Sequence, residues 1–248
     1  MLTSPLEQFE VYDLAGLSLS LFNIGINISN LGLYILLSGS VMIITFFNGK
    51  PTLVPTKFNL FSETIYVSIK GLVSEQIGSS ATRYLPFIFT VFTFILFSNL
   101  IGNIPYNFSI NTSAVISMFM SLSIFIGVTV LGLSIHKLAW FSYFVPGGTP
   151  LALVPLLVLI ESISYLARAV SLGVRLCANM IAGKILAYII ASGIYSLLSK
   201  GLFITVLSLI PLSIFVGLLG LELAVAAVQS YVFTILTCSY ISDAIHLH

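Results

Sequence analysis

The sequence predicts an all-α integral membrane protein: one N-terminal transmembrane helix, an interfacial amphipathic helix, a transmembrane helix pair, and a hairpin of two long membrane-embedded helices. Three observations carry that prediction. Of 248 residues, 58% are hydrophobic and 7% charged, with a mean hydropathy of +1.13, whereas a soluble domain carries roughly 25% charged residues. Apolar runs of spanning length recur along the chain, and a ~30 Å hydrocarbon core needs only about 20 residues of helix. The last hundred positions place ionisable residues inside such runs. A charge there tolerates a cost of at least ~2.5 kcal/mol, so each one is a candidate functional group.

The same composition excludes several classes. A net charge of +1 offers no basic face for nucleic acid. No polar stretch is long enough for a soluble domain, so residues 1–248 are expected to form a single membrane domain. Cys177 and Cys238 lie inside hydrophobic segments without CxxC or ligand spacing, which suits packing rather than a disulfide frame or a metal site. The first residues, MLTSPLEQFEVYD, are acidic and lack both arginine and a signal peptide's apolar core, so insertion is expected to rely on the membrane helices.

Residues 26–47 form the first spanning candidate, and NGKPTLVPTK ends it. Glu7, Glu10 and Asp13 precede this helix while Lys50 and Lys57 follow it, so the charge bias puts the N-terminus outside. Residues 58–77 set Glu63, Lys70 and Glu75 among apolar positions at helical spacing, the pattern of an interfacial helix. Residues 85–106 and 113–135 are each of spanning length and joined by a short polar link, hence an antiparallel pair. His136 and Lys137 sit where the second of these leaves the lipid and suit interface anchoring.

After FVPGGTP, the chain is apolar and helix-like over 150–199 and 202–246, with Ser199, Lys200 and Gly201 as the strong break between. A helix of ~45 residues is ~68 Å long. That is twice the bilayer core, so each arm either lies strongly tilted or splits into two spans, and the lack of a second turn signal favours tilt. There is no internal repeat or low-complexity tract. The N-x-S/T triplets at Asn27, Asn107 and Asn111 are short enough to arise by chance.

On the first arm Glu161, Arg168 and Arg175 are spaced by seven, which drifts only ~20° per step, so they line one helix face. Asn179 continues that face, and Lys184 lies roughly opposite, ~13 Å beyond Arg175. On the second arm Glu222, Gln229 and Asp243 are separated by multiples of seven. An antiparallel hairpin turning near residue 202 brings these into three polar stations: Glu161 with Asp243, Arg175 with Gln229, and Lys184 with Glu222. In that register Arg168 has no polar neighbour on the second arm. Such groups can simply hold two helices together, at ~0.6 to 2 kcal/mol each. Yet an arginine opposite a glutamine is poorly neutralised, which leaves Arg175 wanting a carboxylate from elsewhere. Small residues flank the same stretch, Gly173, Ala178, Ala182 and Gly183 on one arm and Gly217, Gly220, Ala224 and Ala227 on the other, and allow another helix to approach closely.

The stretch SLGVRLCANMIAGKIL, residues 171–186, resembles the signature SLGLRLxxNxxAG of subunit a of the F-type ATP synthase. FSNLIGNIPY, FVPGGTPLALVPLLVLIESISYLARAVSLG, LELAVAAVQSYVFTILTCSY and the N-terminal SPLEQFE add matches to the mitochondrially encoded fungal form. The resemblance covers nearly the whole chain and implies a non-catalytic proton-channel subunit without cofactor, in the mitochondrial inner membrane, its N-terminus toward the intermembrane space. It also implies that the two long helices lie strongly tilted. By its residues, Arg175 matches the essential arginine, Asn179 the asparagine one turn on, and Gln229 their neighbour on the last helix. Glu222 matches the acid of the half-channel open to the intermembrane space and Glu161 the matrix-side acid. Asp243 resembles a family acid near the C-terminus, and its matrix placement rests on the pairing register. Arg168 is read as a structural charge, paired with Glu161.

The implied partners are a ring of c subunits, each with a mid-membrane carboxylate, together with peripheral-stalk subunit b, small membrane subunits and the lipid bilayer. Protons would enter at Glu222, neutralise a ring carboxylate and leave toward Glu161 after nearly a full turn. Arginine suits the divide because it does not give up its proton, whereas lysine can when buried. One departure stands out: where the family has histidine or glutamate, this chain has Lys184, and a lysine, which titrates at about 10.4 unless burial lowers it, does not suit a neutral relay. Its expected role is to pair with Glu222 and keep that acid ionised. Two other classes predict features that are missing. A secondary transporter would show an internal repeat with correspondingly broken helices. A haem or copper subunit would need mid-span histidines, but the histidines are His136, His246 and His248.

Overall fold

The structure, a computed structural model, describes residues 6–19, 24–47, 56–104, 107–145, 153–198 and 206–245. Lys50, the turn at Ser199, Lys200 and Gly201, and His246 and His248 lie outside the described residues. Apart from one short β-hairpin, the described chain is built of helices: α1 Asn30–Phe47, α2 Lys57–Ile77, α3 Ala81–Gly102, α4 Ala114–His136, α5 Val154–Leu198 and α6 Leu209–Ile245. Helices α3 to α6 are each long and apolar enough to cross a membrane.

The hairpin pairs β1 (Asp13–Leu19) with β2 (Ile24–Ser29) antiparallel, in a register that sets Leu17 opposite Ile26 and Leu19 opposite Ile24. It takes the first four residues of the helix expected over 26–47. The reason is local: Ile-Gly-Ile-Asn-Ile-Ser alternates apolar with small or polar residues, the two-residue period of a strand. Helix α1 therefore begins at Asn30, has 18 residues and is roughly 27 Å long.

Other boundaries follow from capping chemistry. The Thr56 side chain accepts from the Asn59 backbone N–H and starts α2, and Gly78 ends it at φ 71°, a left-handed conformation that glycine adopts without steric cost. Gly78–Ser80 then forms a tight 3-10 turn, so α3 begins at Ala81, four residues before the hydrophobic run alone indicated. Lys137 ends α4 at φ 50°, at a cost of roughly 1 to 2 kcal/mol that glycine would avoid. A 3-10 segment, Lys137–Phe144, follows. Helix α5 runs unbroken for 45 residues.

The chain divides into two compact units, each interleaving distant segments. The first comprises Met1–Asn48, Thr93–Ser113 and Cys177–Ser230. Its centre is polar: Asn111 donates to Asn99 Oδ1 at 2.6 Å and to Ser98 Oγ at 2.8 Å, and Asn99 reaches the Ala226 carbonyl of α6 at 3.4 Å. Asn111 is 1% exposed, so its glycosylation-like triplet is a packing site. Phe46 meets Phe97 edge-on, and the Cys177 thiol donates to the Thr112 carbonyl.

The second unit comprises Gly49–Phe92, Ala114–Leu176 and Tyr231–His248. Helix α2 buries Ile69, Val73 and Ile77, one apolar stripe at helical spacing, and Tyr66 packs edge-on against Phe89 of α3. Helix α5 crosses α4 where Gly173 lies against Ser117 and Ser121. The 3-10 segment folds back so that the Trp140 ring covers Gly132 of α4, and His136 Nε2 contacts the Ile245 carbonyl at the end of α6 at 3.0 Å.

A Cβ at Gly132 would strike the Trp140 ring, whereas one at Gly127 would meet open space. Gly132→Ala is therefore expected to destabilise the second unit by about 1–3 kcal/mol, and Gly127→Ala to have little effect. Melting temperatures of the solubilised complex check this; equal values would mean that the ring shifts freely.

Candidate functional site

The residues singled out above fall into two clusters and one isolated charge. In the second unit, seven-residue spacing puts Glu161 and Arg168 on one face of α5, and Arg168 is the hub. Its Nη2 lies 3.6 Å from Glu161 Oε1, and its Nη1 lies 3.5 Å from Asp243 Oδ2 of α6 and 3.3 Å from the Tyr143 hydroxyl. Sequence register left Arg168 without a neighbour on the second arm and joined Glu161 to Asp243 directly; instead the guanidinium links the two carboxylates. The three side chains are each about a third exposed, so each ion pair contributes about 0–1 kcal/mol.

Tyr143 lies outside the pattern of charges, and its sequence signal is the aromatic-rich KLAWFSYF stretch. Trp140 stacks on Tyr143 with centroids 5.5 Å apart, Tyr165 of α5 packs edge-on to both, and this aromatic wall fixes the phenol that faces Arg168.

Arg175 lies two turns further along α5. Leu172 and Leu176 beside it are buried, which turns Arg175 outward on an exposed strip with Ser171, Ala178, Asn179 and Ala182. Among the described residues its guanidinium has no hydrogen bond or ion pair. In the first unit, Asn179 Nδ2 donates to Gln229 Oε1 at 3.0 Å. Gln229 is 5% exposed and its Nε2 is buried without a hydrogen-bond partner.

The first unit's other cluster is built on Lys184 and Glu222. The expected ion pair between them does not form. Lys184 Nζ instead donates to the Asn107 carbonyl at 2.7 Å, a backbone acceptor that no residue pattern announces. Glu222 lies against Gly183, where a Cβ would come within 2.9 Å of its Oε1, and that oxygen is buried without a hydrogen-bond partner. Both side chains line a cavity of about 870 Å³ whose far wall includes Glu7, Glu10, Tyr12 and Asn30. There the Tyr12 hydroxyl donates to Glu10 at 2.6 Å, and that bond pushes the phenol above its ordinary pKa. A second cavity of about 250 Å³ runs from Lys184 and Glu222 past Gly183 to Asn103 and Asn179. Among the described residues no group of three His, Cys, Asp or Glu could hold a metal ion.

Fold and site define a multi-pass membrane protein whose ionisable groups sit inside its helices, facing internal cavities or an open helix face. The family model for the ATP synthase A chain matches residues 30–242. ATP synthase subunit a of Mycosarcoma maydis is 49% identical over all of this chain and 99% of its own length. The subunits a of Trichophyton rubrum and Yarrowia lipolytica are 44% and 42% identical, with 99% and 100% of this chain and 97% and 99% of their own lengths covered. The chain belongs to the ATP synthase A chain family, the non-catalytic membrane subunits that work with the synthase's other subunits.

Arg168→Met should leave Glu161 and Asp243 facing each other without a cation and lower the yield of assembled complex. Adding Glu161→Gln and Asp243→Asn should restore it, since an unpaired charge costs more than a neutral site. Immunoblots of purified complex read both; a single variant that assembles normally would count against Arg168 as the hub.

Proposed function

We propose that this chain is the stationary proton path of an ATP synthase in the mitochondrial inner membrane, with two offset half-channels divided by Arg175 and working against a rotating ring of c subunits. One observation carries the proposal: an arginine on an apolar helix presents an exposed guanidinium with no hydrogen-bond or ion-pair partner among the described residues. A charge in that position is stable in lipid only beside an opposite charge or water. A mid-membrane carboxylate on each ring subunit supplies the opposite charge, and the small residues Gly217, Gly220, Ala224 and Ala227, exposed on α6, allow its helix to come close.

In this reading the cavity holding Glu222 opens to the intermembrane space, where the N-terminus lies, and water in it delivers protons to the ring by way of Glu222. The Glu161, Arg168 and Asp243 cluster receives them on the matrix side. The membrane potential supplies about 2.3 kcal/mol per proton per 100 mV. Arg175 keeps each passing carboxylate ionised and passes no proton itself, because guanidinium stays protonated. Asn179 and Gln229, bonded to each other, supply neutral polar groups near the divide. Lys184 acts on Glu222 across the shared cavity rather than by contact, its positive charge favouring the carboxylate form. The unbroken length of α5 supports strong tilt in the bilayer. Subunit b and small membrane subunits cover part of the remaining apolar surface.

Arg175→Ala, in a complex shown to retain its ring, should abolish ATP-driven proton pumping; pumping at the normal rate would make Arg175 a packing charge. Lys184→Met should slow pumping about five- to tenfold, roughly 1–1.4 kcal/mol of barrier, while Lys184→Arg keeps most of it. Unchanged flux at every pH tested would remove Lys184 from the path.

A further inference from the structure

The second unit holds a cavity that the proton path does not use. It has a volume of about 340 Å³ and is lined by Tyr84 and Phe87 of α3, by Ile124, Gly127 and Leu131 of α4, and by Ile241 of α6. Its walls are almost wholly apolar, and Phe87 is 47% exposed at its edge, so it opens sideways to the hydrocarbon. Gly127 widens it, since nothing lies within 4 Å of where its Cβ would be.

The helix ends toward which this cavity leads carry charge. Tyr84 and Phe87 lie in the first turns of α3 and Leu131 in the later half of α4, so the start of α3 and the end of α4 lie on the same side of the cavity. Arg83 stands in the first turn of α3 and Lys137 just past the end of α4. Both are exposed, and neither has a hydrogen bond or ion pair among the described residues. Glu75, in the last turn of α2, forms no ion pair with either. Just beyond Lys137, Leu138 is 84% and Phe141 60% exposed. Two free cations beside large exposed apolar side chains mark the level where headgroups meet acyl chains.

We infer that this cavity binds an anionic phospholipid, its phosphate held by Arg83 and Lys137 and one acyl chain lying between α3 and α4. Size and charge select this occupant. A single turn of helix, about 10 Å across and 5.4 Å long, fills roughly 400 Å³, more than the cavity holds, whereas an acyl chain is slender enough. Two cations with no protein anion suit phosphate, and basic recesses between membrane helices bind such headgroups. Lys137 keeps its place at a left-handed position that favours glycine, which fits a requirement for its charge.

The test uses the intact synthase in nanodiscs doped with phosphatidylglycerol or phosphatidylcholine carrying a photoreactive group on one acyl chain. Labelled peptides are then located by mass spectrometry. Peptides containing Phe87 and Gly127 should be labelled at least fivefold more by the phosphatidylglycerol probe. That excess should vanish in Arg83→Gln/Lys137→Gln, return in Arg83→Lys/Lys137→Arg, and be lost in Gly127→Trp, which fills the cavity and leaves the charges in place. Equal labelling by both probes in the unaltered complex, which needs no variant, would overturn the site, as would an excess that survives loss of both charges. Cross-links from these residues to another subunit, with no lipid label, would also overturn it. Proton pumping does not enter the readout, so this result stands apart from that of Arg175→Ala.

Discussion

The cost of holding charge away from water governs this chain. Most of its surface is apolar, and the few ionisable residues within its helices survive only where something offsets that cost. Arg168 is offset by two carboxylates and a phenol. Lys184 is offset by a backbone carbonyl and a cavity wide enough for water. Arg175, midway along α5 on an exposed face, has neither among the described residues. The arrangement thus separates charges satisfied within the described chain from those, such as Arg175, that are not.

Glycines set how close the satisfying groups come. Gly183 lets the Glu222 carboxylate lie against α5, Gly173 lets α5 rest on Ser117 and Ser121, and Gly132 takes the Trp140 ring. In the last case packing reaches a polar site, because Trp140 stacks on Tyr143 and Tyr143 faces Arg168. A contact between a glycine and an indole thereby orients a hydroxyl that faces the Arg168 guanidinium.

Much of this was legible in the residues and some was not, for physical reasons. Charges inside apolar runs are rare, so Glu161, Arg175, Lys184 and Glu222 announced themselves. The spans of α3 to α6 were carried by hydropathy over windows too long for local exceptions to hide. The β-hairpin went unread because hydropathy of its leucines and isoleucines masked their alternation. The Lys184 contact was invisible because its acceptor is the backbone of Asn107, and backbone has no sequence signature. The pair of Arg168 with Glu161 follows from their seven-residue spacing on one helix, whereas the contact of Arg168 with Asp243 lies outside the register drawn from a turn at residue 202.

The outward-facing Arg175 has a consequence for how such a chain comes to be made. A copy released into the bilayer alone carries a bare cation at a cost of at least ~2.5 kcal/mol, enough to draw water and headgroups into the hydrocarbon around it. Under the proposed function, union with a carboxylate-bearing neighbour removes that defect. Orphaned and assembled copies are thus distinguishable to the lipid itself, which gives biogenesis a physical criterion for completion and proteolytic surveillance a mark for the copies left over.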